Sequence, residues 1–224
     1  MVRFSPEDHE LVTRAVAEAE CKSDGEIVTV VAAKSDAYHD VGLHYAVLAM
    51  LLVPALIAFA PQGAIDRLMA LFFGWNAGLT RGMLMLFLFA ALAAFFLIVR
   101  FALAYMPLRM ALTPARTKTR RVRRRAIELF RIGAEHRTAG RTGILLYLSL
   151  AEHRAEIVAD EAIHSKVEPD VWGDAMAVLV EHVKADRPGE GMTAAVEKIG
   201  EVLAGCLPAR HENPNELPDR LIEL

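Results

Sequence analysis

The chain has 224 residues, 54% of them hydrophobic and 7% aromatic, with a formal net charge of −3. Its two cysteines, Cys21 and Cys206, stand alone in no metal-like spacing, which argues against a disulfide framework or a structural zinc site. The near-neutral total also hides a strong asymmetry, with a basic middle and an acidic last third.

In chain order, Ser5-Pro6-Glu7-Asp8 predicts a helix start. Ser caps, Pro suits the first helical position, and acids face the positive helix terminus. Leu11, Val12, Ala15, Val16 and Ala19 follow at helical spacing to about Glu20. The opening MVRFSPEDHELV lacks a charged segment followed by an apolar core, so no cleavable signal peptide is expected. Residues 26–33 (EIVTVVAA) read as a strand covered on both faces.

Two long apolar stretches come next. Residues 43–60 (LHYAVLAMLLVPALIAFA) hold no Asp, Glu, Lys or Arg, and residues 83–99 (MLMLFLFAALAAFFLIV) continue past Arg100 as FALAYM. A bilayer core of about 30 Å needs roughly 20 helical residues. The predicted spans are therefore about 43–60 and 83–106. The rival reading, two buried helices of a soluble core, is disfavoured because neither stretch has a polar face. In the connector, Ile65, Leu68, Met69 and Phe72 share a helical face with Trp75 nearby, which suits a short interfacial helix more than a re-entrant segment.

Two spans return the chain to the side from which it left. The connector holds only Arg67, Arg81 and Asp66, whereas Arg109, Arg116, Lys118, Arg120, Arg121, Arg123, Arg124 and Arg125 follow the second span without an acid among them. The positive-inside rule then predicts an inner-membrane protein with both termini cytoplasmic.

After Pro107 ends the apolar run, a helix is expected from about 114 to 135, with Val122, Ala126, Leu129 and Phe130 on one stripe. Residues 144–150 (ILLYLSL) and 155–159 (AEIVA) read as an antiparallel strand pair around a tight turn. Pro169 opens a further helix, Arg187-Pro188-Gly189 stops it, and residues 192–203 form the last one. Residues 207–224, with Pro208, Pro214 and Pro218, read as an extended tail that is loosely packed or mobile. The fold class is α/β: a small α/β/α sandwich interrupted by a two-helix transmembrane hairpin. Residues 1–42 supply its first part, 43–106 the hairpin, 107–206 its second part with the basic juxtamembrane helix, and 207–224 the tail. A strand–crossover–strand connection predicts that the two long strands run parallel.

The run from Arg141 to Glu161 (RTGILLYLSLAEHRAEIVADE) resembles the signature of TPM domains, named after a thylakoid lumen protein, a photosystem II repair protein and an acetylcholine-receptor modulator. That signature is a Gly, an apolar strand, a polar turn and a second strand ending in a Gly-rich acidic turn. Gly25 to Val31 and the helices after Pro169 fit the family's first strand and closing pair. Asn215-Glu216-Leu217-Pro218-Asp219 is similar to a subgroup of bacterial membrane proteins in which a hairpin interrupts the domain. The resemblance implies the split sandwich, and either a divalent cation near the second strand's end or phosphatase chemistry. Ala159-Asp160-Glu161-Ala162-Ile163 stands where the family has its Gly-x-Gly turn.

Asp160 and Glu161, with Glu168, Asp170 or Asp24, are candidate oxygen ligands for Ca²⁺ or Mg²⁺, against the plainer reading of solvated loop acids. Arg116, Lys118, Arg120, Arg121, Arg123, Arg124 and Arg125 are candidates for anionic head groups, each contributing on the order of 1 kcal/mol near such a surface. Nucleic-acid binding is the weaker reading, since no aromatic residues are interleaved for stacking. No P-loop, nucleophile elbow or dinucleotide fingerprint occurs, and the eight histidines do not cluster. The sequence thus favours a non-catalytic accessory module for another membrane protein over a metal-dependent phosphatase.

Overall fold

The computed structural model describes residues 4–74, 80–133, 142–167, 169–209 and 216–224. The helices are α1 (Pro6–Glu20), α2 (His39–Phe59), α3 (Gln62–Phe73), α4 (Arg81–Ala102), α5 (Met106–Leu112), α6 (Ala115–Gly133), α7 (Glu161–His164), α8 (Trp172–Lys184) and α9 (Pro188–Cys206). The strands are β1 (Glu26–Ala32), β2 (Gly143–Ser149), β3 (Arg154–Ala159) and β4 (Ile222–Glu223). They form two units, Met1–Ala37 with Pro114–Leu224, and Tyr38–Thr113.

In the first unit, α1 starts on a capping box. Ser5 Oγ accepts the Asp8 N–H at 3.1 Å, and the Asp8 carboxylate accepts the Ser5 N–H at 2.8 Å. Two orphan donors are thereby satisfied before the first turn closes. The sheet order is β3-β2-β1-β4. β1 and β2 run parallel, from Glu26 opposite Gly143 to Ala32 opposite Ser149, as a crossover connection requires. β3 returns antiparallel to β2.

Alternation then divides the apolar residues between two faces. Ile27, Val31, Ile144, Leu146 and Leu148 pack with α1, α8 and α9. Val28, Val30, Leu145 and Tyr147 pack with Val122, Ala126 and Phe130 of α6. This is a three-layer α/β/α arrangement around a mixed four-stranded sheet. Helices α1 and α9 approach so closely that a Cβ on Gly200 would stand 2.7 Å from the Ala19 Cβ.

Two expectations are corrected here. The tail is part of the fold: β4 pairs parallel with β1, Val30 opposite Ile222 and Val31 opposite Glu223, and closes that edge of the sheet. Its two anchors divide between the cores, Leu217 on the α6 face and Leu221 on the α1/α9 face. Arg187-Pro188-Gly189 is also not merely a stop. Pro188 occupies the first turn of α9, where its missing N–H costs nothing, so the last helix begins earlier than the apolar stripe.

In the second unit, α2 and α4 pack along one another, and both are long and apolar enough to cross a membrane. Helix α2 starts at His39, ahead of the apolar stretch, and continues through Pro54. Helix α4 ends at Ala102 rather than continuing to 106, and Pro107 opens the separate helix α5. The amphipathic connector forms α3, whose Ile65, Leu68 and Phe72 line an apolar chamber of about 730 Å³ with α2 and α4. Trp75 lies outside the described residues.

Candidate functional site

The carboxyl end of the parallel strands, where open α/β sheets tend to hold ligands, carries a directed polar chain. Ser35 follows β1, Tyr147 and Ser149 end β2, and Glu152 sits in the turn to β3. Ser35 Oγ donates to Ser149 Oγ at 2.9 Å, and Ser149 Oγ donates to the Glu152 carboxylate. With the single Ser35 hydroxyl proton committed, the Tyr147 hydroxyl, 3.0 Å away, is the donor to Ser35 Oγ. The Ser35 N–H also donates to Glu152 Oε1 at 3.0 Å. Burial pushes the Tyr147 hydroxyl pKa up; the Ser35 and Ser149 hydrogen bonds oppose that, and the Glu152 charge adds to it. A serine donating to a carboxylate has the form of an activated nucleophile. Ser149 is fully buried, however, so no substrate reaches its oxygen. The chain clamps the segment after β1 onto the end of β2.

At the opposite end of β1 lie two buried glutamates that sequence reading missed. Glu20 Oε1 accepts the Ile27 N–H at 2.7 Å, so a side chain stands in for a strand partner at the sheet edge. Burial pushes the Glu20 carboxyl up to about 8; the Ile27 N–H opposes that, and Glu26 and Asp219 add to it. Glu26 is raised in the same direction by its own burial, against N–H bonds from Leu217 and Glu216 at 3.0 and 3.2 Å. Glu20 looked like the polar end of an amphipathic helix. Its partners, including a tail nearly 200 residues away in sequence, leave no local signal.

The acidic candidates separate. Asp160 caps α7 without a side-chain cap bond, is 4% exposed, and leaves its Oδ2 without a partner. Glu161 beside it is exposed, as is Asp170, while Asp24 is buried after α1. Glu168 lies outside the described residues. Among the described residues, no three His, Cys, Asp or Glu side chains converge in a way that would hold a metal ion.

The basic helix divides by face. Val122, Ala126 and Phe130 turn to the sheet. Arg121 is bound to Asp36 at 2.7 Å with its side chain largely buried, so it fastens α6 to the segment after β1 rather than facing outward. Arg125 reaches Glu128 at 3.6 Å, Arg123 opposes the upward push of burial on the Glu156 carboxyl, and Lys118 is half-buried. Arg116, Arg120 and Arg124 are exposed at i, i+4 and i+8, one stripe of three cations.

The second unit has a buried cation of its own. Arg109 of α5 is 5% exposed; one terminal nitrogen donates to His39 Nδ1 at 2.9 Å, the other to the Met106 sulfur at 3.3 Å, and its Nε has no partner.

No family model matches the chain, and no curated protein matches it. Among solved structures, it is similar to the NMR structure of the BA42 protein from the psychrophilic bacterium Bizionia argentinensis, with a TM-score of 0.55 and 15% sequence identity. That match covers 98% of this chain and 94% of the other, and it is a likeness of fold.

Proposed function

We propose that this chain is a membrane-anchored accessory protein: a TPM-like cytoplasmic module, split by an inserted transmembrane hairpin, that docks another membrane protein. The observation that carries the reading is the interruption itself. Residues on both sides of the apolar hairpin interleave in one sheet, β1 from before it and β2 from after it. A sheet so assembled needs both flanks on one side of the bilayer, and the basic run at the start of α6 favours the cytoplasmic side of an inner membrane. The order helix–strand, then helix–strand–strand and two closing helices, supports the TPM resemblance read from residues 141–161.

In this reading the Arg116, Arg120 and Arg124 stripe holds α6 near anionic head groups. At about 1 kcal/mol per cation, three contribute roughly 3 kcal/mol, enough to orient a module that is already tethered. The buried Ser149–Glu152 pair and the separated acids favour docking over hydrolysis. Crosslinking in native membranes, followed by mass spectrometry, tests the role; recovery of uncrosslinked monomer alone across several chemistries would refute it. Reporters fused to the two ends must respond in the same compartment.

A further inference from the structure

We propose that the hairpin unit binds one anionic phospholipid, its acyl chain in an apolar groove between α2, α4 and α5 and its phosphate on Arg109. The groove, about 310 Å³, is lined by Tyr45, Leu48 and Ala49 of α2, Val99 of α4, Leu103 beyond it, and Leu112 of α5. Its volume falls at the lower end of the ~300–1,000 Å³ that small-molecule pockets occupy.

The groove wall comes near the stem of the buried Arg109. A Cβ on Gly42 would stand 3.6 Å from the Leu103 Cβ and 3.8 Å from the Arg109 Cδ, so groove wall and Arg109 stem flank one glycine. Leu112 is the next turn of the helix that carries Arg109, and its carbonyl accepts the Tyr45 hydroxyl at 3.1 Å.

The charge at that end is unbalanced. Arginine does not give up its proton in proteins, and it only donates. His39 Nδ1 must therefore be the acceptor, and an imidazole nitrogen supplies no negative charge to balance the guanidinium. The Met106 sulfur is a weak acceptor. Among the described residues, Arg109 forms no ion pair, and its Nε–H points at no acceptor at all. A buried charge left so is destabilising until an anion meets it. The Nε–H edge of a guanidinium is one side of the fork that binds a phosphate through two parallel bonds. An apolar groove beside a cation that lacks its anion matches an amphiphile with an anionic head.

The test uses the full chain in mild detergent, titrated with phosphatidylglycerol, with diacylglycerol of the same chains, or with inorganic phosphate. Native mass spectrometry counts bound lipid, and thermal unfolding reports the shift. Wild type should retain one phosphatidylglycerol, while Arg109→Gln and the groove-filling Ala49→Phe should each bind at least tenfold more weakly. Lys198→Gln, at an exposed ion pair with Glu201 on α9, should leave this binding unchanged. Should Arg109→Gln lose its helical circular dichroism, Arg109→Lys decides: it keeps the charge, loses the fork, and should still bind several-fold more weakly. Equal binding by the folded Arg109 variant, equal retention of diacylglycerol, or an equal thermal shift from inorganic phosphate alone overturns the proposal. The inference rests on the hairpin lying in lipid, which fractionation tests separately. A chain released from membranes only by detergent, yet binding no phospholipid, sinks this inference and leaves the anchored module intact.

Discussion

Replacing Glu20 with Gln should make the protein more stable in mild alkali. The carboxyl is 8% exposed, and burial raises its pKa from an ordinary value near 4.5 to about 8. The folded state therefore holds a proton that the unfolded chain releases. Stability from that proton is complete below about pH 4.5, falls as pH rises through the interval, and is gone above about pH 8. At 1.36 kcal/mol per pH unit the ceiling is about 5 kcal/mol, and relaxation of the site around the charged carboxylate brings the observable loss to about 2 kcal/mol. Glutamine keeps the oxygen that accepts the Ile27 N–H at 2.7 Å and cannot ionise. The variant should match wild type within about 0.5 kcal/mol at pH 5 and exceed it by about 2 kcal/mol at pH 9. Urea unfolding in detergent can be followed by Trp172, which is buried in the α1/α8/α9 core, in a Trp75→Phe background. Glu26, raised in the same direction, leaves a residual slope that Glu26→Gln should remove. Stability curves that run parallel for wild type and Glu20→Gln between pH 5 and 9 would refute the buried neutral acid.

Leu221→Ala removes the tail's anchor in the α1/α9 core and should cost about 2–4 kcal/mol in the same unfolding assay, an effect that a loosely packed tail would not show. Gly200→Val puts a side chain against Ala19, 2.7 Å from its Cβ and 3.3 Å from its Cα, and should destabilise by about 1–3 kcal/mol as α1 and α9 are pushed apart. Ser149→Ala leaves the buried Glu152 carboxylate short of a donor and should cost about 1–3 kcal/mol in urea unfolding. Changing Arg116, Arg120 and Arg124 together to Gln should abolish any extra amide-exchange protection of α6 in nanodiscs containing anionic lipid, while stability in detergent changes by less than about 1 kcal/mol.

Local chemistry was enough for the elements whose causes lie within a few residues. Ser5 and Asp8 cap each other across one turn, so α1 could be read from four letters. The β-branched run of β1 and the apolar run of β2 needed burial on both faces, and the only order that gives it places helices on both sides of the sheet. Length and the lack of any polar face marked α2 and α4 as candidate spans. What tertiary structure decided is where partners come from far away. The proline-rich tail has almost no strand propensity, yet it closes the sheet because β1 offers an open edge and Leu217 and Leu221 find a pocket on either face. Arg121 is indistinguishable in the sequence from its basic neighbours, and becomes a fastener only because the fold sets Asp36 2.7 Å away. Glu20 ends a helix like any solvent-facing acid, and its proton affinity exists only because β1 and the tail shut it away from water. A side chain's type and spacing set what it can do, whereas its dielectric surroundings and its partner are properties of the packed chain.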